Sequence, residues 1–145
     1  MKKETITELL LNGNSSSQYE FAKSCNDEEA LYLFAYNYNW GDGFSIPTAI
    51  INNSNCTLNL ALMIFYAGDG YSYLLEKPEE SESKEWFKFI TDLYMRIKGN
   101  TFKIGKVAFN VPLTKVQVFK LKKQLAEDEQ IFTNQIDGID CNIDL

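Results

Sequence analysis

There is no histidine among the 145 residues of this sequence. General acid–base chemistry near neutral pH therefore lacks its commonest side chain, and a thiol nucleophile lacks its usual base. Cysteine is scarce as well. Cys25, Cys56 and Cys141 are odd in number and widely spaced, with no Cys-x-x-Cys pair. That excludes a disulfide framework or a zinc knuckle as the organising feature and leaves three inert, buried thiols as the reading. Long apolar runs are missing too. The longest extends from Leu60 to Ala67, well short of the ~20 residues that span a bilayer. Lys2 and Lys3 precede Ile6 and Leu9-Leu10-Leu11, but Thr7 and Glu8 interrupt them, which is not a signal-peptide core. The expectation is a cytoplasmic protein without a membrane partner. Positive charge is in the minority, with 14 Lys and Arg against 20 Asp and Glu and a net charge of −6. A nucleic-acid partner needs a concentrated basic face; this balance favours a basic partner instead.

Aromatic residues are plentiful. Ten Phe, eight Tyr and two Trp within an apolar share of 45% predict a globular core built largely from rings. The length suits one domain over residues 1–145. Helical periodicity dominates. Short helices are expected over 3–11 and 18–24, and Asn26 with Glu29 resembles a capping box opening a third. Ala30, Leu31, Phe34, Ala35 and Tyr38 form its apolar face. Residues 46–52 tolerate Pro47 in a first turn. Thr57 can cap a helix from Leu58 to Ala67 that is apolar almost all round, with Asn59 its one strongly polar residue, so this helix belongs at the centre. Gly68 then offers a left-handed C-cap. Residues 78–84 read as a polar loop. Trp86, Phe87, Ile90, Leu93, Tyr94 and Ile97 mark one face of the next helix. Leu62, Phe65, Trp86, Ile90 and Leu93 are expected to be buried together.

Over 102–111 the period changes to two, predicting a strand with a bulge at Gly105. Thr114 and Gln117 form a capping box, with Leu113 and Val118 as its staple, for a helix reaching about Glu127. The tail after Ile131 can add a short strand with a turn at Asp137-Gly138. The fold class is mainly α, as a compact helical bundle or a short solenoid-like stack of helical hairpins, with a small C-terminal β element. The stack is suggested by an echo within 28–74: Gly41-Asp42-Gly43-Phe44-Ser45 returns as Gly68-Asp69-Gly70-Tyr71-Ser72, at an offset of 27 residues.

The candidate binding residues cluster at these turns: Tyr36, Asn37, Asn39, Trp40, Asp42 and Asp69. Aromatics interleaved with amides suit an interface, and Gly41 and Gly43 permit a sharp turn that leaves Asp42 open. The competing reading packs Tyr38, Trp40 and Phe44 inward and makes Asp42 a helix cap. The EF-hand register fails, because counting from Asn37 places Asp42 where that loop needs Gly and Thr48 where it needs Glu. Neither glycine cluster has Walker or dinucleotide spacing. No catalytic residue, metal site or cofactor is indicated. The lysines 115, 120, 122 and 123 read as a solvated helix surface.

The stretch Tyr36-Asn-Tyr-Asn-Trp-Gly-Asp-Gly-Phe44, followed by Pro47, Ile50, Cys56, Ala61-Leu62, Phe65-Tyr66 and Asp69-Gly-Tyr-Ser-Tyr-Leu74, resembles a family of small bacterial proteins carrying an uncharacterised domain. The family pattern is roughly aromatic-Asn-Trp-Asp-Asp-Gly, then Pro, Phe-Tyr and Asp-Gly-Tyr, and Gly41 stands here for its first Asp. Val111-Pro112-Leu113-Thr114-Lys115-Val116 and Phe119-Lys120-Leu121-Lys122-Lys123 are also similar, so the resemblance covers residues 30–138. It implies a bacterial source and, by analogy, an immunity protein against a secreted toxin. The expected function is a non-enzymatic protein-binding module. The alternative is a small hydrolase or ligand-binding protein using Asp42 or Asp69. Oligomeric state is not legible.

Overall fold

The computed structural model describes residues 2–145 and is mainly helical. Its α-helices are α1 (Lys2–Asn12), α2 (Ser15–Ser24), α3 (Glu28–Tyr36), α4 (Ser45–Asn52), α5 (Leu58–Ala67), α6 (Gly70–Glu76), α7 (Lys84–Lys98) and α8 (Lys115–Gln124). Two 3-10 segments, Trp40–Asp42 and Glu127–Thr133, complete the set among the described residues. None of the helices is long and apolar enough to cross a membrane.

The apolar helix expected at the centre is there. Every residue of α5 from Leu58 to Tyr66 is buried, because α3, α6 and α7 pack around it. Thr57 caps it as its spacing implies, the hydroxyl accepting from the Leu60 N–H at 3.3 Å. Outside this layer α1 lies on α3, and α2 on α4. Leu62, Phe65, Ile90 and Leu93 are fully buried together. Trp86 is half-buried instead, and its indole N–H donates to the Gly68 carbonyl at 2.7 Å.

Several local expectations shift. The N-cap of α3 is Asp27 rather than Asn26: its carboxylate accepts from the Glu29 and Ala30 N–H groups at 3.1 and 3.3 Å. Gly68 does not take the left-handed conformation at the end of α5; Asp69 does, at φ 65°. The chain then enters α6, a short helix over a stretch where the sequence pattern predicts no element. The capping box of α8 forms as expected, but the helix ends at Gln124.

The expected strand over 102–111 is not present. Two isolated bridges stand in its place, Val107 with Ile139 in parallel sense and Phe109 with Ile136 in antiparallel sense. The reason is competition for donors. Glu28 of α3 accepts from the Lys106 and Val107 N–H groups at 2.7 and 3.2 Å, and Asn59 of α5 accepts from the Gly105 N–H at 2.7 Å. With those amides taken by side chains, no ladder propagates. Gly105 is fixed by this approach, because a Cβ there would meet the Glu28 carboxylate at 2.0 Å.

Asn59 thus explains the one polar position on α5. Its Nδ2 also donates to the Val107 carbonyl, and the residue is fully buried. Asn59→Leu strands the Gly105 amide and the Val107 carbonyl in an apolar setting, so it is expected to cost about 1–3 kcal/mol. Urea unfolding of the variant measures this, and an unmoved midpoint would show that the 105–107 segment is held by other contacts.

The C-terminal tail returns to α3. The Tyr32 hydroxyl donates to the Asn142 side chain at 2.8 Å. Asn37 Nδ2 donates to the Ile143 carbonyl at 2.8 Å, and its Oδ1 accepts from the Leu145 N–H at 3.0 Å. Elsewhere the buried Glu129 carboxylate accepts from Lys77, from the Tyr94 hydroxyl and from the Ala126 N–H. This clasp joins the end of α6, the middle of α7 and the 127–133 segment.

Candidate functional site

The first Gly-Asp-Gly turn is built by its own sequence. Asn39 Oδ1 accepts from the Gly41 N–H at 3.0 Å and opens the 3-10 turn. Gly43 closes it at φ 97°, a conformation that favours glycine, and its carbonyl accepts from the Tyr38 hydroxyl at 2.8 Å. Trp40 projects into a cluster of rings, with centroids 5.8 Å from Tyr38, 5.9 Å from Phe44 and 6.0 Å from Phe89, each edge-on. Such geometry places positive ring edges against negative faces.

Asp42 is exposed. The helix after the turn has Phe44 at its N-cap position, with no side-chain cap bond, so Asp42 does not cap it. Among the described residues its carboxylate has no hydrogen bond or ion pair. It does lie close enough to Tyr38 to act on it: burial first, and then the Asp42 charge, push the Tyr38 hydroxyl above its ordinary range.

The second turn is built differently. The positive φ falls on Asp69 rather than on the final glycine, and the Asp69 carboxylate accepts from the Ser72 hydroxyl at 2.8 Å. The backbones of the two turns therefore differ. The two turns nonetheless meet. A Cβ at Gly68 would lie 3.3 Å from the Trp40 ring, and Trp86 bonds the Gly68 carbonyl from α7. Trp40 is in this way wedged against the backbone of the second turn.

Tyr36 and Asn37 stand apart from this arrangement. Tyr36 stacks on Tyr32 with centroids 6.4 Å apart. Asn37 has both ends of its amide committed to the tail, with a further bond from Nδ2 to the Leu33 carbonyl at 2.9 Å. The structure gives Asn37 a tail-anchoring role, whereas Asn39, Trp40, Asp42 and Asp69 belong to the turns.

Beside the Trp40 cluster lies a cleft of about 690 Å³ between α2, α4 and α7. Phe44 and Phe89 are common to cleft and cluster, while Tyr19, Lys23, Thr48 and Lys88 stand around it. Reading along the chain missed Tyr19 and Lys23. The available signal was an aromatic residue four positions before a lysine, on a helix whose Phe21 and Ala22 pack inward.

Chemistry requiring a thiolate is disfavoured by burial, which raises all three cysteines and pushes Cys56 up to about 12. Among the described residues no three His, Cys, Asp or Glu side chains gather where they could hold a metal ion.

The fold and the turns define a mainly helical protein with an aromatic core and an open acidic–aromatic corner. Residues 26–98 match the family model described as Domain of unknown function (DUF4274), and the chain belongs to that family. The match takes in both Gly-Asp-Gly turns and ends with α7, so the similarity seen downstream to residue 138 lies outside it. No curated protein and no solved structure matches the chain.

Proposed function

We propose that this protein is a non-enzymatic binding module whose partner is a protein presenting arginine or lysine to the first Gly-Asp-Gly turn. The observation that carries the reading is Asp42: an exposed carboxylate, released from capping duty and, among the described residues, without a hydrogen bond or ion pair, on the same turn as Trp40. A carboxylate beside aromatic rings suits a cation through charge pairing and cation–π contact. The net charge of −6 points the same way. The adjoining cleft offers room for a side chain of the same partner. The finer form of this reading is a bacterial, cytoplasmic immunity protein that blocks a secreted toxin; it rests on analogy with small bacterial proteins of this kind. The competing reading is a ligand-binding protein or small hydrolase. The cleft, whose volume lies within the range of small-molecule sites, favours its ligand-binding form.

The test separates charge from structure. After identification of the partner from the native host, titration of Asp42→Asn is expected to give about tenfold weaker affinity, or ~1.4 kcal/mol, at an unchanged melting midpoint. Trp40→Phe is expected to weaken binding as well. Wild-type affinity in both variants would remove the turn from the interface, and a metabolite as the only captured species would favour the ligand-binding reading.

A further inference from the structure

The lysines of α8 have a setting that their sequence does not suggest. Lys115, Lys120, Lys122 and Lys123 make up four of the chain's 14 basic residues, and α8 has no acidic residue. Among the described residues none of the four is in an ion pair. In a chain of net charge −6, this is a concentration of positive charge without ion pairs among the described residues, on a helix that packs against the acidic start of the 127–133 segment.

Two of these lysines, Lys115 and Lys122, line a groove whose two sections mix apolar and polar side chains. One section, of about 930 Å³, runs between the start of α5, the 100–104 segment and residues 131–137. A second, of about 380 Å³, runs between residues 111–113 and α8. Lys122, Thr133 and Gln135 line both sections and join them. Large apolar side chains stand open at the two ends: Ile104 is 70% exposed and Phe119 is 60% exposed. The half-buried Phe102 and Val118 also line the sections, and Lys123 covers the Phe119 ring at 4.2 Å. Asp137 is the one carboxylate lining either section. The groove shares no residue with the cleft beside Trp40.

We propose that this groove docks an acidic, amphipathic segment of a partner protein. Its apolar side chains enter between Ile104 and Phe119, and its carboxylates meet Lys115 and Lys122. Charge complementarity selects this occupant. A basic segment would meet the lysines with repulsion, and a nucleic acid has no apolar side chains to offer the groove. A membrane surface would engage a convex helix face, whereas much of this apolar area is recessed.

The test uses a fluorescein-labelled synthetic peptide alternating Glu with Leu and Phe, and a second peptide with Lys in place of Glu. Fluorescence anisotropy against the full chain is expected to show saturable, salt-sensitive binding of the acidic peptide and none of the basic one. Lys115→Glu with Lys122→Glu is expected to weaken binding by about tenfold or more, and Ile104→Ser to weaken it without altering its salt dependence. All three positions are exposed, and circular dichroism verifies that the variants keep their helices. Equal binding to the double variant overturns the proposal. So does binding of phosphatidylcholine–phosphatidylserine vesicles without the peptide, which makes the face a lipid surface. Sedimentation showing self-association that the double variant abolishes overturns it in favour of a second copy of this chain.

Discussion

Replacing Phe65 by alanine lowers the unfolding free energy by about 3–5 kcal/mol, the range for a fully buried phenylalanine. Its ring has no exposed surface. It lies 4.8 Å from Phe132 and 5.6 Å from Tyr66, centroid to centroid. It also rests directly on the backbone at the start of α6, where a Cβ on Gly70 would fall 2.3 Å from the ring. Three segments, α5, α6 and 127–133, thus close on one side chain. They cannot all relax into the space it leaves, and the cost of a cavity rises with its residual volume. Guanidinium unfolding measures the change, with Phe65→Leu as a milder companion. A loss below about 1 kcal/mol would mean that the site collapses freely.

Glu129→Ala is expected to lose about 2–3 kcal/mol at pH 7, because it strands the Tyr94 hydroxyl and the Ala126 amide and unpairs Lys77. The figure sits below that for a fully buried pair, since the Lys77 side chain is 41% exposed. Burial pushes the Glu129 carboxyl upward, but the Lys77 and Tyr94 bonds and the Ala126 N–H outweigh it and hold the group below the usual carboxylate range. A depressed carboxylate stabilises the fold above its unfolded pKa, about 4.3. That contribution disappears as pH falls through the folded value. The gap between wild type and Glu129→Ala should therefore be full at neutral pH and narrow on strong acidification. Urea unfolding across that range reads it, and a gap independent of pH would show that the ionised form adds nothing.

What was legible in the sequence is what local bonding decides. Thr57 and the Thr114–Gln117 box cap their helices wherever those helices pack, and the apolar surface of α5, interrupted at Asn59 alone, leaves it no place but the centre. The strand over 102–111 failed because its donors go to Glu28 and Asn59, residues 46 to 79 positions away. Nothing within the segment announces such partners. The short α6 was lost for a related reason: it begins at a left-handed Asp69, and its inward residues Tyr73 and Leu74 span too little chain to show a period. At the candidate site the Gly-Asp-Gly spelling marked the first turn and its open carboxylate. Asn37 and Asn39 look alike in sequence, yet one anchors the tail and the other opens a 3-10 turn. The cleft was invisible because Tyr19, Thr48 and Lys88 come from three helices.

The anchoring of the tail on α3 bears on how the chain is made. Tyr32 and Asn37 leave the ribosome early, but their partners at Asn142, Ile143 and Leu145 lie 106 to 110 residues later. Closing loops of that length slows folding. During synthesis α3 can pack on α5 while its outer edge waits, with the Tyr32 hydroxyl and the Asn37 amide served by water. That edge acquires its native covering once residues 142–145 have emerged, so its packing follows the assembly of the central helices rather than accompanying it.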